Sequence, residues 1–146
     1  MTNAIGDGLR DLRSELARLN HQVGMRVELK DGDLEVLDLL DRHGPLSPGT
    51  LARRAGLHPA TMTGILDRLE RAGWITRDRD ATDRRALVVG STRHRLAEML
   101  TLYSGMNSRL NRICSGYDLD QLELIAKFLR QVADAGRQAA DDLGKP

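Results

Sequence analysis

Apolar positions recur along the start of the chain at alternating steps of four and three residues: Ile5, Leu9, Leu12, Leu16, Leu19 and Val23. This heptad stripe predicts one long helix over about residues 4–26, with a seam suited to packing lengthwise against other helices. The polar run Lys30-Asp31-Gly32-Asp33 interrupts it. Leu34, Leu37, Leu39 and Leu40 mark a second helix, closed by His43-Gly44-Pro45. Ser47 and Pro48 read as the N-cap and first residue of a third helix that ends near Ala55. Gly56 then suits a left-handed turn. Pro59 opens a fourth helix over about 59–72, with Met62, Ile65, Leu66 and Leu69 on its apolar face, and Gly73 stops it.

Trp74–Arg77 and Leu87–Val89 read as two strands joined by the polar loop Asp78–Arg85. Ser91-Thr92 then cap a long fifth helix, whose stripe is Leu96, Leu100, Tyr103, Met106, Leu110 and Ile113. Ser115-Gly116-Tyr117 breaks it. Asp118, with Gln121 three residues on, forms a capping box for a last helix striped by Leu119, Leu122, Ile125, Leu129 and Val132. The tail from Ala139 to Pro146 is expected to fray. The pattern is mainly α with one small β-hairpin.

A chain of 146 residues suits a single domain around one core. No apolar run approaches the roughly 20 residues that span a bilayer. The N-terminus lacks the apolar core of a signal peptide, so the expected location is the cytoplasm, with no membrane partner. Cys114 is the only cysteine and is expected to be a small buried apolar side chain. His21, His43, His58 and His94 are scattered without ligand spacing, so neither a metal nor a cofactor is expected. No nucleophile elbow, phosphate loop or paired carboxylate points to an enzyme.

The net charge of +1 hides an asymmetry. Residues 53–95 carry 10 basic and 5 acidic side chains, whereas residues 1–52 carry 6 and 9. Positive charge is therefore concentrated in the middle third, as a phosphate-binding surface requires. That segment holds two short helices joined by a tight turn, the pattern of a helix-turn-helix. Ala52 is small where the helices must cross, and Met62 and Ile65 can bury the second helix against the first. This leaves Pro59, Ala60, Thr61, Thr63, Gly64 and Arg68 outward. Short side chains there allow close approach to a major groove, where the threonines and Arg68 can meet phosphates or base edges. Ser47 joins this DNA-contacting set from the start of the preceding helix. His58 reads as a helix cap ahead of a base contact.

The hairpin forms a wing. Arg77, Arg79 and Arg84 are its expected DNA contacts, through the narrow minor groove and the backbone. Asp83 and Arg85 are expected to pair and brace the turn, with Arg84 pointing to the opposite face by strand alternation.

With LARRAGL, MTGILDRLERAGWI and DRRALVV in view, the chain resembles the MarR family of winged helix-turn-helix regulators over nearly its whole length. The family pattern of Asp, any residue and Arg is met at Asp83 and Arg85. The leucine-threonine pair that follows departs at Ser91-Thr92, where serine stands for leucine. The resemblance implies one MarR-like domain over 1–146, with a DNA-binding part at 30–92 and dimerisation helices at 4–26 and 93–140. It implies a homodimer that represses transcription at a pseudo-palindromic operator on double-stranded DNA. It further implies release by a small anionic or phenolic ligand, for which His21, Met25 and Arg26 are the candidate contacts. Activation of transcription, or a winged-helix module that binds protein instead of DNA, are the alternatives.

Overall fold

A computed structural model describes residues 1–145. Its elements are α1 (Thr2–Val27), α2 (Asp31–His43), α3 (Pro48–Ala55), α4 (Pro59–Arg71), β1 (Ile75–Arg79), β2 (Leu87–Ser91), α5 (Arg93–Thr101), α6 (Ser104–Cys114) and α7 (Leu119–Leu143). They fall into two compact units, Met1–Tyr103 and the remainder from Ser104 onward.

In the first unit, α1 stops where Glu28 turns left-handed at φ 58°, and the Glu28 and Leu29 amides both donate to the Gly24 carbonyl. A Cβ on Gly24 would lie 2.5 Å from the Leu29 carbonyl oxygen, so that crossing demands glycine. The polar run at Lys30–Asp33, expected as a break, is instead the start of α2. Lys30 is its N-cap, and the Asp33 carboxylate accepts the Lys30 N–H at 3.0 Å. The Asp33 side chain, which looks like part of a loop, satisfies the amide at the start of the helix.

Ser47 caps α3 as expected, its Oγ accepting the Thr50 N–H at 3.2 Å. Gly56 closes α3 at φ 66°, and the Leu57 N–H donates to Ala52 O at 2.9 Å. β1 and β2 pair antiparallel from Ile75↔Ser91 to Arg79↔Leu87, each two residues longer at its C-terminal end than the sequence suggests. Leu46 adds a one-residue bridge to the sheet through reciprocal bonds with Val89 of 3.0 and 2.7 Å.

One apolar core joins these parts, drawing Val36 and Leu37 from α2, Leu51 from α3, Met62, Leu66 and Leu69 from α4, and Val89 from β2. Trp74 is its largest member, 1% exposed. Its N–H donates to Leu69 O, its carbonyl accepts the Thr92 N–H, and the Arg95 guanidinium lies 4.1 Å from the ring centroid. The tryptophan thus links α4, the sheet and α5.

The expected continuous fifth helix is two helices. At Leu102 and Tyr103 the helical i→i−4 bonds give way to i→i−3 bonds, to Met99 O and Leu100 O. The tighter turn directs Tyr103 toward α1, where its hydroxyl donates to Asn20 Oδ1 at 3.0 Å. The buried face of α5 is Leu96 and Met99, while Leu100 stays 39% exposed. In the second unit, Asp118 and Gln121 form the expected capping box of α7. That helix runs on to Leu143, past the point where fraying was expected.

Asp33 is the buried charged residue of the core, 3% exposed. Besides the Lys30 amide it accepts the Arg68 guanidinium of α4 at 2.7 Å. Removing the carboxylate strands a helix-terminal amide and a half-exposed arginine. Asp33→Ala is expected to lower stability by about 2–3 kcal/mol, after discounting the screened Arg68 end. Urea unfolding should show a lower midpoint at unchanged m-value; an unmoved midpoint would show that the pair contributes no net stability.

Candidate nucleic-acid interface

The first turn of α4 is built to be narrow. Its core face, Met62, Ile65, Leu66 and Leu69, is buried, and Pro59, Ala60, Thr61, Thr63 and Gly64 are exposed. A Cβ at Gly64 would meet nothing within 4 Å. Pro59 sits at the first helical position, where its missing N–H costs no bond. His58 is the N-cap, its Nδ1 accepting the Ala60 N–H at 3.1 Å. The capping expected of His58 is therefore present. The Thr63 hydroxyl donates back to Pro59 O at 3.0 Å, so its proton is engaged within the helix. Thr61 makes no such bond and presents a free hydroxyl. Ser47 is half-buried, its Oγ accepting the Thr50 amide and donating to Thr50 Oγ1 at 2.9 Å.

The arginines of this region divide by their partners. Arg68 pairs with Asp33 across helices, rather than with its neighbours Asp67 or Glu70 as sequence proximity suggests. Arg77 pairs with Asp67, and its Nε lies 3.5 Å from Glu70 Oε2. The Arg77 side chain is only 21% exposed, and its Nε has no hydrogen bond. Both guanidiniums are held by carboxylates on or beside α4, so they fix the helix to α2 and to the sheet. The expected role of Arg68 and Arg77 as free DNA-facing cations meets this competition. Arg79 donates to Arg84 O at 3.2 Å across the hairpin. Arg84 and Arg85 are exposed, and neither is in an ion pair among the described residues.

At the wing tip, Arg84 and Arg85 lie in a turn closed by the Ala86 N–H donating to Asp83 O at 3.0 Å. Strand alternation therefore does not set their directions, contrary to expectation. Asp83 does brace the turn, but through the Arg85 backbone N–H at 3.0 Å and not through its guanidinium. The sequence reading missed a stronger brace. Asp80 Oδ1 accepts the Thr82 N–H and the Thr82 hydroxyl, each at 2.8 Å, and the Asp83 N–H at 3.4 Å. Asp80-Ala81-Thr82-Asp83 is an Asx-type turn sequence, and that chemistry was the available signal.

His21, Met25 and Arg26 are all exposed near the end of α1. His21 Nδ1 lies 3.9 Å from Asp31 Oδ1, an ion pair only when the ring is protonated. Cys114 is half-buried. Among the described residues, no cluster of His, Cys, Asp and Glu could hold a metal ion, and no helix is long and apolar enough to cross a membrane.

Two helices meeting at a left-handed glycine, a narrow exposed first turn and an arginine-tipped hairpin define a winged helix-turn-helix protein. The comparisons agree. The MarR family profile matches residues 29–87. An uncharacterized HTH-type transcriptional regulator, YcgE of Bacillus subtilis, is 32% identical over 86% of this chain and 81% of its own length. The HTH-type transcriptional repressor YetL of the same organism is 29% identical over 69% of this chain and 62% of its own. A variant of MepR from a multidrug-resistant S. aureus isolate superposes with a TM-score of 0.76 at 19% identity, over 90% of this chain and 96% of that one. Wild-type MarR from E. coli gives a TM-score of 0.62 at 19% identity, over 87% and 94%. The chain belongs to the MarR family of transcriptional regulators and has its winged-helix DNA-binding fold.

The wing brace carries a pH signature. The Thr82 N–H chiefly, then the Thr82 hydroxyl and the Asp83 N–H, hold the Asp80 carboxyl below its ordinary range. A depressed folded pKa means that the brace is present above the free-aspartate value of about 3.9 and is lost as pH falls through the lower folded value. The Thr82 amide chemical shift is expected to titrate with a midpoint below about 3.9. A midpoint at or above it would show that the Asp80 bonds do not persist in solution.

Proposed function

We propose that the protein is a homodimeric repressor that binds a pseudo-palindromic operator, with the first turn of α4 in the major groove and the wing along the minor groove. The division of the arginines carries this reading. Arg68 and Arg77 are matched by carboxylates, whereas Arg84 and Arg85 project from a hydrogen-bonded turn without a carboxylate partner. Unmatched guanidiniums on a braced tip, beside a helix turn of small exposed residues, form a surface complementary to a phosphate-lined groove. Thr61 is the α4 side chain with a free hydroxyl for base or phosphate contact, and Arg79 backs the tip.

Apolar faces left uncovered support dimerisation. Ile5, Leu12 and Leu16 of α1 are exposed, as are Leu110 and Ile113 of α6 and Leu119, Ile125 and Leu129 of α7. Helical stripes of this kind require a cover in water. A two-fold pair would place two recognition helices about 34 Å apart, one turn of B-DNA. The repressor assignment draws support from the relative of that description. Release by an anionic or phenolic ligand would need the second protomer to close a pocket over His21, Met25 and Arg26.

Arg84→Ala should weaken binding to every duplex and flatten the dependence of log affinity on log salt by about 0.9, one phosphate contact. Its melting temperature should not move, whereas Arg77→Ala should melt earlier. Fluorescence titration across salt concentrations reads this. Binding indifferent to both salt and Arg84 would instead favour a module that recognises protein. Leu12→Glu and Leu129→Glu should each yield single chains in sedimentation; an intact two-chain species for both would reject the interface.

A further inference from the structure

We infer that Asp80 is a positioning residue for DNA binding: it shapes the wing tip so that Arg84 is held ready for the duplex before contact. The inference rests on the DNA-binding reading above and deepens it. One oxygen, Asp80 Oδ1, accepts three hydrogen bonds, from the Thr82 N–H and the Thr82 hydroxyl at 2.8 Å each and from the Asp83 N–H at 3.4 Å. The Asp80 main chain closes the same loop, its N–H donating to Ala86 O at 2.9 Å. Both neighbours of Arg84 are thereby fixed. Asp83 bonds to Asp80 through its N–H and to the Ala86 N–H through its carbonyl, and the Arg85 N–H donates to Asp83 Oδ1 at 3.0 Å. Arg84 is itself held at its carbonyl by Arg79 Nη1, 3.2 Å away. The Arg84 backbone is restrained from both sides, while its side chain is exposed and in no ion pair among the described residues.

Charge makes the choice of residue informative. Asp80 has no basic partner among the described residues, so an unpaired carboxylate lies beside the arginines offered to phosphate. By Coulomb repulsion alone it opposes binding. What it supplies is order. A loose loop has to be ordered when it binds, and that ordering subtracts from affinity. A loop already bent by an Asx-type bond has little conformational freedom left to lose. Repulsion and ordering act on affinity with opposite signs, so measurement separates them.

Three variants do so: Asp80→Ala removes acceptor and charge, Asp80→Asn removes the charge and keeps an oxygen that forms the same turn, and Asp80→Ala is repeated on Arg84→Ala. Affinity for a generic duplex is read by fluorescence titration at neutral pH and low salt, below the melting temperature of each variant. Asp80→Ala should bind about three- to ten-fold more weakly, the cost of ordering roughly one residue of backbone less the gain from a lost negative charge. Asp80→Asn should bind at least as tightly as the native protein. On the Arg84→Ala background, Asp80→Ala should cost no further affinity, because its effect passes through Arg84. Native or tighter binding by Asp80→Ala would leave only the repulsion and overturn the inference. Asp80→Asn as weak as Asp80→Ala would overturn it by showing that the turn geometry is not what matters. An undiminished loss on the Arg84→Ala background would overturn the route through Arg84. A native protein that binds no duplex overturns the proposed function and this inference with it, whereas the other failures leave the native binding intact and touch Asp80 alone.

Discussion

A carboxylate sunk in an apolar core must be matched on all sides, and Asp33 is matched by two elements that the DNA-binding reading depends on. One oxygen closes the amide that begins α2; the other holds Arg68 of α4 at 2.7 Å. The pair fixes how α4 lies across α2, independently of the nonspecific grip of leucine on leucine. Apolar packing tolerates small slides, whereas a charged hydrogen bond weakens steeply once its geometry is lost. Arg77, bound to Asp67 and close to Glu70, does the corresponding work between α4 and the sheet. The helix is thus tethered from two sides by guanidiniums that belong to the scaffold.

This tethering changes how the basic segment is understood. Ten basic residues between 53 and 95 suggest a broad cationic surface. Arg68, Arg77 and Arg95 are each within ion-pairing distance of a carboxylate, and Arg95 also covers the Trp74 ring. The positive field that remains is narrower and sits on the wing tip and the exposed ends of α3 and α4. Counting charges overstates the footprint; counting unmatched charges locates it.

Much of the architecture was legible in the chain because periodicity and punctuation are local. The stripe of α1, the Ser47 cap, Gly56, the α4 core face and the Asp118 capping box all follow from residues within one or two turns of one another. What escaped was long-range or competitive. Arg68 finds Asp33 across 35 positions of sequence, a partner invisible to neighbour rules. The break at Leu102-Tyr103 has no proline; it accompanies a tyrosine drawn to Asn20 of α1. Leu46 joins the sheet as a single residue, too short to leave a strand pattern. At the wing, Arg84 and Arg85 were read by strand alternation, whereas they lie in a turn closed by the Ala86 N–H on Asp83 O, next to the residues that Asp80 organises. Of the candidate site, the first turn of α4 is exposed as the sequence reading expected, whereas Arg84 is exposed in a turn and not on a strand. Arg68 and Arg77 are engaged elsewhere.

The same competition bears on how such a surface could discriminate between sequences. Fixed guanidiniums on carboxylates cannot reorient to a base edge without breaking a pair. Thr63 has committed its proton to Pro59 O. Few side chains of α4 retain free hydrogen-bonding capacity, and those that do are short or rigidly held. A reading head of this kind has little room to adapt to different base sequences. Under the proposed function, its selectivity would come largely from shape: how closely a small-residue helix turn enters a groove, and how well the minor groove admits the braced arginine tip. The rigidity that the Asp33 and Arg77 pairs confer is therefore more than a contribution to stability. It holds helix and wing at a set distance and angle, and in the proposed complex those two quantities would decide which duplex geometries both engage together.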